Sequence, residues 1–469
     1  MGGVQEEQAV SFLEIERKVL DEVMALGRAA MTEAMEQLDE LIYAARDRER
    51  YVVKDVRERE IETLVGVIRF KRRYYRDRIE GQYVALLDEL LRLEGSARIS
   101  TGLEELLVLQ GMHGPSYRKA EANIRGTYAR PVVSHETIRR RVLKTGQRIA
   151  AVAARRQAEA QGSRKVPVIF LEVDGLYAHG QRPRGGHEYR IATVHEGWER
   201  PQPGSKIYRL RNVSYCIVRR DRDVWDEISR HVYSIYDVAG AVVVINGDRA
   251  GWIRDGVEFF SNARLALYQI DRFHLVRDVT QLLTHQPALR RQALDALARN
   301  DAEALLRHLR AAQAAEPDPD RAQEIRAFCR DLGAAKEATR DYRVRLSEHG
   351  ISLPELRGMG AAESNMDRFA NRLKKHGQSW STTGARAMLN TLAKNFEGEL
   401  WHYVRSTGGD QLIVEPLQKA KRLAQETLTE LLPPGVIAGH LPAGDMGRNR
   451  SVGLSRLMHR ISRPGSAKA

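Results

Sequence analysis

The chain has 469 residues, with 75 Lys and Arg against 62 Asp and Glu, a net charge of +13. A single core rarely grows past roughly 250–300 residues, so more than one domain is expected. The cationic surplus points to a polyphosphate partner, whose neutralised phosphates release counterions. Two cysteines, Cys216 and Cys329, with no CxxC pair, exclude a zinc ribbon and argue against a disulfide framework. With no basic-then-apolar leader and no run near ~18 apolar residues, we expect no signal peptide and no membrane span, and a place in the reducing cytoplasm, with the nucleoid.

Residues 1–50 read as helices. Phe12, Ile15, Val19, Val23 and Leu26 recur at three- and four-residue steps, and Met31, Met35, Leu38 and Ile42 resume the stripe after Gly27. This is a packing or self-association element. Residues 51–82 read as a short basic β segment. Its β-rich stretch from Thr63 runs into Lys71, Arg72, Arg73, Tyr74, Tyr75 and Arg76, where cations and rings interleave as a DNA backbone requires. A solvated edge strand with protective charge carries the same pattern. Residues 83–160 read as three short helices of helix-turn-helix kind. Ser134 caps the third, Glu136 sits in its first turn, and Arg139, Arg140 and Arg141 follow as DNA-reading cations. A helical bundle that never touches DNA shows similar spacing.

Residues 165–275 change to strands: 165–174, 189–195, 215–219, 241–248 and 266–271, with a helix at 224–236. Three strands, a helix, a strand and a further strand is the order of an RNase H-like sheet. The first three would form an antiparallel meander, and the crossover helix would set the next strand parallel. Residues 276–354 read as a helical insertion, and the core, 164–275, resumes at 355–405. A C-terminal helix and basic tail, 406–469, hold Arg448, Arg450, Arg456, Arg460, Arg463 and Lys468. The fold class expected is α+β and multidomain.

Side chains alternate along a strand, so Phe170, Glu172 and Asp174 share one face, as do Val244, Asn246 and Asp248. Two acids ending neighbouring buried strands would repel unless a cation lies between them. Oxygen ligands in that setting suit Mg²⁺ or Mn²⁺. A third acid, Glu363, lies one turn before Met366 on a stripe shared with Phe369, Ala370 and Leu373, and is expected to face the sheet rather than water. Glu172 is a competing ligand.

These residues resemble the bacterial insertion-sequence transposases of the ISLre type, a branch of the DDE transposases. The matching segments include Phe70 to Arg76, Tyr83 to Glu89, Ser116 to Glu121, Glu172-Val173-Asp174-Gly175 and His195-Glu196-Gly197-Trp198. They continue through Asn246 to Ile253, Gln269 to His274, Ala362 to Asn365 and Ser379-Trp380-Ser381. The resemblance implies a triad of Asp174, Asp248 and Glu363. It also implies that Asp271-Arg272-Phe273-His274 matches a Cys-or-Asp-x-x-His motif, with His274 at the scissile phosphate or fixing the insertion. Arg249 departs from the glycine common in relatives. Trp380 is a possible accessory residue.

The expectation is therefore a transposase acting on double-stranded DNA as a homo-oligomer. Two divalent ions, about 3.5–4 Å apart in such sites, would serve cleavage at the transposon end and transfer of the freed 3′-hydroxyl into target DNA. An RNase H-like nuclease or resolvase without strand transfer, and a domesticated DNA-binding protein, are the rival readings.

Overall fold

The computed structural model describes residues 11–91, 93, 98–159, 161–181, 185–220, 222–353 and 355–405. The expected C-terminal helix and basic tail lie outside these residues. The chain divides into two compact units, Met1–Leu106 with Val404–Ala469, and Leu107–Tyr403. The architecture is mixed α and β.

In the first unit, helix α1 (Phe12–Ala45) opens on a capping box. Ser11 Oγ accepts from the Glu14 amide while the Glu14 carboxylate accepts from the Ser11 amide. Instead of breaking near Gly27, α1 is continuous, and that glycine lets it approach Val65, whose side chain a Cβ would meet at 3.0 Å. Strands β1 (Tyr51–Thr63) and β2 (Gly66–Asp77) form one long hairpin, joined by β3 (Tyr83–Val84) on the far edge. The β structure thus begins at Tyr51, twelve residues before the β-rich stretch from Thr63. The earlier part is polar on its outer face and acquires strand geometry by pairing with β2.

Leu38 and Ile42 of α1 pack on Ile61, Ile68, Phe70 and Tyr75, closed by Leu86 and Leu87 of α2 (Leu86–Leu90). The N-terminal part of the α1 stripe stays open: Phe12 is 81% exposed, and Ile15, Val19, Val23 and Leu26 are exposed too.

The second unit takes up the chain within α3 (Thr101–His113) and continues through α4 (Tyr117–Tyr128) and α5 (His135–Glu159). Five strands then form its main sheet: β4 (Val168–His179), β5 (Gly186–His195), β8 (Ser214–Arg219), β9 (Val242–Gly247) and β10 (Leu265–Ile270). A two-stranded ribbon of β6 (Trp198–Glu199) and β7 (Arg209–Leu210) lies between β5 and β8 in sequence. The sheet order is β10-β9-β4-β5-β8; β4, β5 and β8 are antiparallel, and β9 and β10 run parallel to β4. Helix α6 (Val224–Tyr233) makes the crossover from β8 to β9. A helical stretch that starts with α7 (Gly251–Arg254) leads from β9 to β10.

Every residue of β9 is buried, as a strand flanked by parallel neighbours and covered on both faces must be. One sheet face packs Ile169, Leu171, Val243 and Ile245 against Trp225, Ile228 and Val232 of α6. The same core takes in Leu275 of α8 (Arg272–Leu282), Leu297 of α9 (Pro287–Ala298), Leu305 of α10 (Ala302–Ala315) and Leu332 of α11 (Pro319–Ala334). The other face sets Phe170, Val244 and Leu267 against Tyr342 and Leu346 of α12 (Tyr342–Glu348). Helices α13 (Ala361–Leu373) and α14 (Thr382–Phe396) follow, α13 along β4 and α14 against α5.

Strand β4 does not stop at Asp174, where the apolar run ends. It continues to His179 because β5 pairs with it as far as Gly186. Pairing with a neighbour, not side-chain polarity, sets where a strand ends.

His231 on α6 is half-buried, its Nε2 3.1 Å from Ser214 Oγ. Burial, helped by Lys394, pulls its pKa down to about 4. The unfolded chain binds that proton near pH 6.5 and the fold does not, so stability falls as pH drops from about 6.5 toward 4. Between pH 7 and 5 this contributes a loss of about 2 kcal/mol at roughly 1.36 kcal/mol per unit. Urea denaturation at the two pH values should show that increment in the wild type and not in His231→Gln; equal losses in both would refute it.

Candidate active site

Parallel pairing of β4 with β9 runs from Val168↔Val242 to Val173↔Gly247. The next residues are Asp174 and Asp248. Neighbouring strands lie about 4.8 Å apart, so register alone sets these two half-buried acids side by side. Asp174 Oδ1 accepts from the Gly175 amide at 2.6 Å, and Asp248 Oδ1 from the Ala250 amide at 2.9 Å. The Asp248 carbonyl accepts the Tyr268 hydroxyl at 2.6 Å. Arg249 turns away to Asp278, 3.1 Å off, and stacks over Phe328.

Glu363 lies in the first turn of α13, and its Oε2 is 3.6 Å from His274 Nε2. Burial holds the Asp174 carboxyl above the ordinary aspartate range. The Gly175 amide and His274 oppose that shift, while Asp248 and Glu363 add to it. Four side chains from β4, the end of β9, α8 and α13 therefore share one electrostatic field, although Asp248 lies 74 residues after Asp174 (248 − 174) and Glu363 another 115 on (363 − 248).

Glu363 itself is not turned from water: its side chain is 53% exposed. It sits at the open end of the helix, whereas Met366, Phe369 and Leu373 further along are buried. Among the described residues no three His, Cys, Asp or Glu side chains are grouped closely enough to hold a metal ion as they stand.

Beneath the acids lies a buried polar row. Glu172 accepts from Gly360 N at 3.1 Å, lies 3.3 Å from His195 Nε2 and 3.5 Å from Asn246 Nδ2. Asn246 donates to Asp271 at 2.8 Å and accepts from Gln269 at 3.2 Å. Asp271 caps α8 by accepting the His274 amide at 3.1 Å. Glu172, 1% exposed, is thus committed inside the core and is not open to a metal ion as it stands. Asp271 sets where α8 begins and so where His274 stands. Asn246, Gln269 and His195 lie in segments that carry the family resemblance, but the sequence assigns them no part in such a polar row. The available signal was a polar residue at an inward position of an otherwise apolar strand.

The basic segment of the first unit is tied down. Arg72 pairs with Asp88, Arg73 with Asp39 and Glu40, and Tyr74 stacks on Tyr83 beneath Arg57. Lys71 stays exposed. Cations adjacent in sequence point to opposite faces of a strand, and those beside α1 and α2 meet carboxylates first. Since Asp39 is buried, Arg73→Ala leaves a carboxylate without its cation and should destabilise the fold by about 2–3 kcal/mol. Lys71→Ala should stay within about 0.5 kcal/mol of wild type. Denaturation midpoints separate the two; equal midpoints would show that the Arg73 pair contributes nothing.

In the second unit, Arg139 and Arg140 both bond Glu136, at 2.7 and 3.1 Å. The Arg139 guanidinium holds the Glu136 carboxyl down at about 2. Arg141, like them, lies on α5. Trp380 is buried, with Nε1 donating to the Leu373 carbonyl at 3.0 Å.

The main sheet thus holds two antiparallel and two parallel pairings, with Asp174 and Asp248 just past the end of the β4–β9 pairing. The family described as "Uncharacterised protein family (UPF0236)" matches residues 5–408, and the chain belongs to it. A UPF0236 protein in the vanSb 3′ region of Streptococcus gallolyticus is 25% identical over 401 residues, covering 84% of this chain and 85% of that protein. A UPF0236 protein of Caldanaerobacter subterraneus subsp. tengcongensis, whose name joins eleven loci, is 26% identical over 378 residues, 79% of this chain and 75% of its own length. Another from that organism, named for four loci, is 24% identical over 398 residues, 83% and 79% of the two chains.

Proposed function

We propose that this protein is a DNA transposase of the aspartate-aspartate-glutamate class, with an RNase H-like core and a site at Asp174, Asp248 and Glu363. The observation that carries the reading is the register of β4 on β9, which makes Asp174 and Asp248 neighbours, together with the Glu363 and His274 charges that act on the Asp174 carboxyl. The strand order and directions are those expected of such a core. Relatives named for eleven and for four loci of one organism fit a gene that copies itself.

The donor set fits Mg²⁺ or Mn²⁺. Burial is the main reason the Asp174 carboxyl is raised, and Asp248 and Glu363 add to it, so a cation at these oxygens would offset both the lost solvation and the neighbouring negative charge. Bound divalent ions supply nucleophile activation and stabilisation of the leaving 3′ oxygen in phosphoryl transfer. The chain's own part is orientation. The Gly175 and Ala250 amides hold one oxygen of each aspartate, so the carboxylates keep fixed directions. Asp271 fixes the start of α8 and so directs His274 toward Glu363. In this reading His274, 3.6 Å from Glu363, would meet a phosphate oxygen that enters between the acids.

The test is joining. Purified protein with Mg²⁺ is given labelled duplexes carrying the ends that flank its gene and a plasmid target. Nicking at the ends followed by label in the plasmid supports transposition. Nicking without joining would leave a nuclease, and neither would remove the catalytic reading.

A further inference from the structure

A second cationic feature lies in the second unit, away from the acids. Arg372, near the C-terminal end of α13, is only 4% exposed. Its Nε and Nη2 both donate to the Gly111 carbonyl at 3.2 Å, and its Nη1 has no hydrogen-bond partner among the described residues. The rings of Tyr117 and Trp380 flank the guanidinium at 5.2 and 4.9 Å. Two rings and a carbonyl offset part of the charge, but among the described residues no carboxylate pairs with it. Burial draws its pKa below the usual guanidinium value. A guanidinium stays charged in proteins, so burial without a counter-ion is costly.

Arg372 lines a cavity of about 260 Å³. That is roughly eight to nine times a water molecule's share of liquid volume. Two helix N-termini open on the same cavity. Ser116 caps α4 by accepting the Lys119 amide, Ser381 caps α14 by accepting the Gly384 amide, and both serines are part of the wall. Each helix is longer than three turns, so each directs its positive end there. Arg139 lines the cavity too, with its charge shared with Glu136. A buried oxygen, Gln378 Oε1, has no donor among the described residues while its Nε2 bonds the Pro115 carbonyl.

We propose that this cavity binds a backbone phosphate of the DNA, with Arg372 Nη1 and the α14 N-terminus as the donors that meet it. The chemistry the pocket recognises is a phosphate oxyanion. The DNA assignment rests on the transposase reading and on the chain's surplus of cations. Helix α13 carries Glu363 in its first turn and Arg372 nine positions later, about 14 Å along the axis at 1.5 Å per residue and half a turn round it, so the pocket is a contact apart from the acids.

The experiment measures affinity of the full chain for a labelled duplex across a salt series, in EDTA so that no cleavage intervenes. Wild type is compared with Arg372→Gln and Gln181→Glu. Gln181 is an exposed residue on the cavity wall, and a carboxylate there would meet the cations in place of phosphate. Both variants should bind about tenfold more weakly, with the slope of log affinity on log salt shallower by about 0.9, the increment for one phosphate contact. Gln181→Glu gives up one exposed hydrogen bond, from its Nε2 to the Ser379 carbonyl at 3.1 Å, and should melt close to wild type, so it decides the matter even if Arg372→Gln fails to fold. Wild-type affinity and slope in folded Gln181→Glu would overturn the proposal.

A second arm adds inorganic phosphate at matched ionic strength. Protection of wild type and not of Gln181→Glu, with DNA slopes unchanged, would assign the cavity to a free anion and overturn the DNA assignment. Failure here leaves the nuclease reading intact, since no metal-dependent step is measured. A protein with the slope change that never cleaves would sink the nuclease reading alone.

Discussion

Asp174→Asn should reduce Mg²⁺-dependent cleavage on the order of 10³-fold or more, with Asp248→Asn close behind and DNA affinity unchanged or slightly raised. The affinity follows from charge, because each substitution removes a negative group facing a polyanion. The rate follows from the geometry. Asp174 and Asp248 are adjacent through strand register and are half-buried, so a cation between them meets two directed oxygens and little water. Glu363→Gln should cost less, on the order of 10²-fold, because its side chain is 53% exposed and solvent screens it. Cleavage of a labelled duplex across a Mg²⁺ series, beside a binding curve in EDTA, reads both quantities. Full cleavage by any one variant would remove that residue from the site.

Glu172→Met should destabilise the second unit by about 3–5 kcal/mol. The substitution fills a similar volume but leaves the His195 ring, the Asn246 amide and the Gly360 amide facing a thioether. Each buried donor without an acceptor costs about 1–3 kcal/mol. Glu172→Gln keeps one acceptor oxygen and should lose less. Denaturation midpoints test this against the competing role of Glu172 as a metal ligand. A Glu172→Met protein as stable as wild type, with weakened Mg²⁺ dependence alone, would return Glu172 to the ligand set.

The residue pattern made the second unit's strands legible, because buried strands of Val and Ile such as 242–245 have few other destinies. It placed Asp174 and Asp248 at matching points by counting alternation from apolar positions. It failed where pairing overrode polarity. β4 outran its apolar run because β5 pairs alongside it, and β1 began in a polar stretch because β2 lies opposite. It also overread adjacency: Arg72 and Arg73 stand next to Lys71 in sequence, yet the fold gives them carboxylate partners from α1 and α2.

Sequence by itself determined the charge surplus, the strand and helix order of the second unit, and which acids of its strands share a face, since these depend on side-chain periodicity and composition that any fold must respect. Only the tertiary structure decided that β4 lies between β5 and β9, that Glu363 comes to His274 from 115 positions beyond Asp248 (363 − 248), and that Arg372 is buried with no carboxylate partner among the described residues. Those facts arise from contacts between distant segments, and local periodicity carries no information about which distant segment a side chain will meet.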